Sequence, residues 1–185
     1  MGKRAVKTRI KPNDAKFGEL ILYIARKSES DPNFGATKLN KLLWLADFVA
    51  YGRFSVPITG QEYQKLERGP APRRLLPISK RLIERTEAAI QQRDVFGHVQ
   101  HRIVALREAD LSEFSGAEIA LVDRIISDCW PKRASDISDD SHIFPGWKAA
   151  KIGETIPYAT AFLSSRKLTE KERQYGLTID AACRG

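Results

Sequence analysis

"KLNKLLWLADFVAYG", residues Lys38 to Gly52, decides the reading of the fold. Thr37 is placed to cap a helix there, and Gly52 stands at its expected end. Leu39, Leu42, Leu43, Trp44, Leu45, Ala46, Phe48, Val49 and Ala50 cover nearly the whole circumference after the first turn. A helix that is apolar all round lies in the middle of a core. Asp47 is the lone charge after the first turn. A carboxylate so placed must be paired, because an unpaired buried charge is far costlier than a hydrogen bond is worth. The expected partners are donors from the strand–turn region downstream, or a buried basic group.

Other elements group around this helix. Before it, Asn13 or Asp14 caps a helix running to Lys27, with Phe17, Leu20, Ile21 and Ile24 at i, i+3, i+4 and i+7. "SESDPNFG" breaks it. After it, "ITGQEYQKLERGPAP", Ile58 to Pro72, gives a short strand through Leu66, with a Gly69-Pro70 turn reversing the chain toward a third helix, Arg73 to Ala88. Pro77 cannot sit deep in that helix, which either starts near Leu75 or kinks. Residues 88 to 106 alternate around Phe96-Gly97 as a β-hairpin, with Val99, His101, Ile103 and Ala105 on one face.

Ser115 and Glu118 form a capping box for a helix whose stripe is Ile119, Val122, Ile126 and Cys129, stopped by Pro131. "SDISDDSH" is a short helix capped by Ser135 or Asp136. "FPGWKAAKIGETIPY" is a loop with a strand at Ile152 to Ile156, and Gly146 supplies its turn. Pro157 opens a further helix through Phe162, and Thr169 with Glu172 caps one ending at Gly176. The fold class is therefore mainly α (α+β): a single helical domain with a small antiparallel sheet or β-hairpin. The expected divisions are a basic arm over 1–12, the domain over 13–165, and a C-terminal helix and tail over 166–185.

The chain of 185 residues carries a formal charge of +8, which favours an acidic partner or weak nonspecific association with nucleic acid. Lys3, Arg4, Lys7, Arg9 and Lys11 crowd the N-terminal arm, and Arg68, Arg73, Arg74, Lys80, Arg81 and Arg85 form a second cluster. The longest apolar run, "LLWLA", is far too short to span a bilayer. Cys129 and Cys183 read as two unpaired thiols, which suits the cytoplasm. His98, His101 and His142 lack metal-site spacing with thiols, so neither a metal nor a cofactor is expected.

One combination has catalytic chemistry. Asp47, Tyr63 and His142 offer an acid, a phenol and an imidazole for general acid–base work. The competing structural account pairs Asp47 with the strand–turn region, lets His142 pin the loop after the short acidic helix, and packs Trp147 over that loop with its N–H on a carbonyl. The structural account is preferred, and no catalytic residue is assigned.

"KLNKLLWLADF", "PITGQEYQKLERGPAP", "EFSGAEIALVDRI", "SDDSH" and "PGWKAAKIGETIPY", in this order from about Phe17 to Leu163, resemble the SocA-like antitoxin family, the Panacea domain. The resemblance implies a mostly helical domain with a small sheet and no catalytic activity. It implies a prokaryotic or phage antitoxin that neutralises a co-encoded protein toxin. The family's motif positions fall on Leu42, Leu43, Ala46 and Asp47, then on Pro57, Thr59, Gly60, Tyr63, Gly69 and Pro70. Later they fall on Ser141, His142, Trp147, Ile156, Pro157 and Tyr158. Trp44 replaces a more usual Tyr, and Ala159 stands where an acid is common. These motif residues are the types that hold a backbone, so toxin contact is expected on variable exposed surface, with Arg73 and Arg74 as its candidates. Rival functions are a nucleic-acid-binding regulator using the arm and Arg cluster, and an enzyme using Asp47, Tyr63 and His142.

Overall fold

The computed structural model describes residues 10–163 except Phe96 and Gly97. The helices are α1 (Asp14–Lys27), α2 (Ala36–Phe54), α3 (Leu75–Glu84), α4 (Gly116–Cys129), α5 (Ala134–His142) and α6 (Pro145–Ala149). Two antiparallel pairs join them: β1 (Tyr63–Leu66) with β2 (Gly69–Pro72), and β3 (Ala88–Val95) with β4 (His98–Ala105). A 3₁₀ turn, Tyr158–Phe162, follows. The fold is mainly α with small antiparallel sheets, as the periodicities imply.

The all-round apolar helix is central. Its Leu39, Leu42, Leu43, Ala46 and Ala50 join one core with the buried faces of α1, α3, α4 and the β3–β4 hairpin. Trp44 and Phe48, on another side, join Tyr63 and Ile156 in a second, smaller core. Local signals work where side chains supply the missing bonds. Asn13 accepts from the Lys16 N–H at the start of α1, and Ser115 and Glu118 close their capping box on α4.

Several expectations need correction. α2 begins after Gly35, not at a Thr37 cap, and runs through Gly52 to end at Ser55, whose φ is 60°. Tyr51 holds this last turn, with its ring centroid 5.4 Å from those of both Tyr158 and Phe162. That packing outweighs the ~1 kcal/mol disadvantage of a helical glycine. Gly69-Pro70 is not the turn. The register pairs Leu66 with Gly69, so Glu67 and Arg68 reverse the chain and Gly69-Pro70 opens the return strand.

α3 starts at Leu75, which leaves Pro77 in its first turn, and ends at Glu84 because Thr86 at φ 57° turns the chain into β3. Val99 and His101 do not share the buried face with Ile103 and Ala105; both are exposed. Arg102 is buried instead, donating to the carbonyls of Ser28 and Glu29 in the loop after α1. α5 begins after Arg133, ahead of the expected Ser135 or Asp136 cap.

"PGWKA" is a short helix, not a loop, and Gly146 serves close packing: a Cβ there would meet Phe144 Cε1 at 2.7 Å and crowd Thr160. The strand at Ile152–Ile156 reduces to one bridge, Gln64 to Thr155. Pro157 caps the 3₁₀ turn and does not lie inside a helix. The cations at 3 to 9, the Thr169/Glu172 capping box, Gly176, Cys183 and the segment 166–185 lie outside the described residues.

Candidate functional site

α2 carries Asp47 into the second core with no exposure at all. The downstream segment Pro57–Tyr63 wraps over it, turning at Gly60, whose φ is +69°. A side chain at Gly60 would also approach the Lys11 carbonyl oxygen to 2.8 Å. This turn aims the Thr59 backbone N–H at Asp47 Oδ1, 2.6 Å away, and the Thr59 hydroxyl at Oδ2. The Tyr63 hydroxyl lies 2.8 Å from Oδ2 and 2.9 Å from the Leu43 carbonyl. It has one proton to give.

Burial pushes the Asp47 carboxyl above the ordinary carboxylate range, against the pull of its donors. The Tyr63 hydroxyl shares its one proton between Asp47 Oδ2 and the Leu43 carbonyl. Burial and the neighbouring Asp47 also drive the phenols of Tyr63 and Tyr158 upward, so both keep their protons. Tyr158 donates to the Gln61 carbonyl at 2.7 Å and stacks on Phe48 at 4.7 Å between centroids.

The rest of the late segment closes over β1. Lys65 N–H donates to Glu154 O at 2.9 Å, and Ile156 N–H donates to Tyr63 O at 2.8 Å. Trp147 Nε1 donates to the Leu66 carbonyl at 3.1 Å, which is the anchor expected of it. Its ring is sandwiched by His142 on one contact, 4.2 Å between centroids, and by Lys65 Nζ at 4.0 Å. The structure therefore joins Asp47 to Tyr63 and sets His142 against Trp147. Asp47 and Tyr63, at 0% and 1% exposure, are closed to solvent. The cluster is a clamp between α2, the β1–β2 hairpin and the chain after α5. Its hydrogen bonds at Asp47 and Tyr63 are closed to solvent.

Under the hairpin lies a residue that periodicity did not single out. Lys41 projects from α2 at 2% exposure, and its ammonium donates to the Arg68 carbonyl and, at 3.5 Å, to that of Pro70. Lys38, one turn earlier, has Asp31 at 2.6 Å. Lys41 has no carboxylate partner among the described residues, and burial pushes it down to about 8. Gly69, at φ +102°, passes so close to Lys41 Nζ and Ser141 Oγ that no Cβ fits. Pro57 and Pro70 are buried as backbone-fixing residues. The available signal was the pair Lys38 and Lys41 at i, i+3 on a helix otherwise destined for the core.

The arginines proposed for contact are exposed but occupied. Arg73 donates to Gln64 Oε1 at 2.8 Å and to the Gly153 carbonyl, and Arg74 pairs with Asp14 Oδ2 at 2.6 Å. Arg68 and Arg133 are exposed too, and neither side chain has an ion-pair partner among the described residues.

The profile of the family described as antitoxin SocA-like, Panacea domain, matches residues 39–148, more than half of the chain. The chain belongs to the SocA-like antitoxin family. The Panacea match spans most of α2, both hairpins, α3, α4, α5 and most of α6, so Asp47, Thr59, Tyr63 and the Gly69 strand lie inside it, while Ile156, Pro157 and Tyr158 lie just beyond. No curated protein and no solved structure matches the chain. No helix among the described residues is long and apolar enough to cross a membrane.

Proposed function

We propose that this Panacea-domain chain is an antitoxin that neutralises a co-encoded protein toxin by direct binding in a prokaryotic or phage cytoplasm. The observation that carries the reading is family membership over residues 39–148. Closure of Asp47 and Tyr63 to solvent supports it over the enzyme alternative, since a general base needs access to its substrate. The contact surface we assign is the exposed face around the β1–β2 hairpin, including Arg73 and Arg74. A toxin carboxylate there competes with Asp14 for Arg74 and with Gly153 for Arg73. Co-purification tests the reading: a tagged chain captures the product of the neighbouring reading frame. Failure to capture it under conditions where both proteins are folded removes the proposal.

The charge of +8 keeps a nucleic-acid regulator in view. Binding that falls steeply with salt and ignores sequence would reduce it to nonspecific contact.

A further inference from the structure

The β1–β2 turn divides a surface groove into two lobes that share Thr37 and Arg68. The first, about 450 Å³, lies over Lys41 and Gly69. The second, about 890 Å³, runs past the start of α2 to Arg133 at the start of α5, with His101 of β4 on its wall. Together they are too long for one small metabolite and suit an extended segment. Of the described residues lining the two lobes, Lys41, Arg68, Arg133 and His101 are basic or ionisable to a cation, and Glu67 is the one carboxylate. Apolar side chains stand on the rim: Ile152 and Val99 are each 61% exposed.

The geometry points to this groove as the seat of an acidic segment of the partner protein, with one carboxylate over Lys41 and Arg68 and another beside Arg133. The decisive feature is Lys41. A cation at 2% exposure that is met, among the described residues, only by carbonyls lacks the opposite charge that buried ions require, and it lies at the lining of an open cavity. Its depressed pKa is the same deficit expressed as a proton affinity, and a carboxylate would reverse it. Among the described residues Arg68 and Arg133 have no ion-pair partner that binding would have to displace. They can grip carboxylates bidentately. The start of α2 has no side-chain cap, which leaves its first N–H groups facing the second lobe as further donors. The rim valine and isoleucine favour apolar residues flanking the acids.

This inference rests on the antitoxin reading for the identity of the partner, but its chemistry is testable alone. The probe is a fluorescein-labelled peptide of alternating Glu and Leu, with a Gln/Leu peptide as its control, titrated by anisotropy into the full chain. The acidic peptide is expected to bind and the control not to. Arg68→Glu with Arg133→Glu is expected to weaken binding by at least about tenfold while melting like the parent, both positions being exposed. Lys41→Met is expected to lose binding without unfolding, because it removes a buried charge that lacks a counter-ion. Equal binding of both peptides, or unchanged binding by the double variant, overturns the groove. So does a single-stranded oligonucleotide that binds more tightly and displaces the peptide, which would make the groove a phosphate site. Capture of the neighbouring gene product separates the two claims. If the double variant still captures it, the groove is overturned and antitoxin function stands. If the parent chain captures nothing yet binds the acidic peptide as described, the antitoxin reading fails and the groove's chemistry stands.

Discussion

Asp47 shows how one polar atom set in a core fixes its neighbours. Its carboxyl accepts from Thr59 twice and meets Tyr63, tying α2 to a segment more than ten residues downstream. Asp47→Ala leaves the Thr59 N–H and hydroxyl buried without their acceptor, while Tyr63 keeps only the Leu43 carbonyl. The expected cost is about 1–3 kcal/mol, or a fall in Tm of roughly 3–10 °C for a chain of this size. Asp47→Asn keeps one oxygen acceptor for these donors and should melt between the two. An unchanged Tm for Asp47→Ala with lost biological activity would turn the clamp back into a functional site. Glu19 illustrates the opposite electrostatics. Its hydrogen bonds to Arg107 hold the carboxyl below its ordinary 4.5, against burial. A depressed carboxylate stabilises the fold above its unfolded value and loses that contribution as pH falls through the folded one. Urea melts between pH 6 and pH 3 should therefore show a steeper acid loss in the parent than in Glu19→Gln. Parallel curves would refute the assignment.

The β1–β2 hairpin supplies Tyr63 to the second core and its turn to the groove. Gly69 sits at φ +102° with Lys41 and Ser141 directly beneath it. Gly69→Ala must both strain the backbone and displace a buried cation, at a cost of about 1–3 kcal/mol. Thermal melts check this, and an alanine variant as stable as the parent would mean the strand relaxes without loss. This hairpin also marks how far sequence carries. The apolar circumference of Leu39 to Ala50, the capping box at Ser115 and the alternation around Phe96-Gly97 are local patterns, and each element appeared where its period placed it. Gly69-Pro70 looked like a turn because Gly and Pro punctuate turns, yet Gly69 is needed for a contact with α2 that no local pattern encodes. Lys41 and Arg102 were equally hidden. A lysine or arginine is expected outside, and its burial depends on carbonyls brought from distant loops. The Asp47 clamp was half legible: its need for donors from the strand–turn region followed from burial, but the stacking of His142 on Trp147 depends on the late segment docking on β1.

At the scale of the molecule, one face is built from three layers of the chain: α2 beneath, the hairpin across it, and the segment through Tyr158 closing over β1. That arrangement leaves the hairpin's outer side, with Arg68, Arg73 and Arg74, exposed on a chain of net charge +8. Such a surface favours an acidic protein partner and fast, salt-sensitive association. Neutralisation by direct binding, the central claim, is tested most directly by growth. The neighbouring reading frame is induced in cells with and without this chain, and colony formation is counted. Antitoxin function predicts arrest by the neighbour alone and restored growth when the folded chain is present. Arrest that persists beside abundant, folded chain would contradict it.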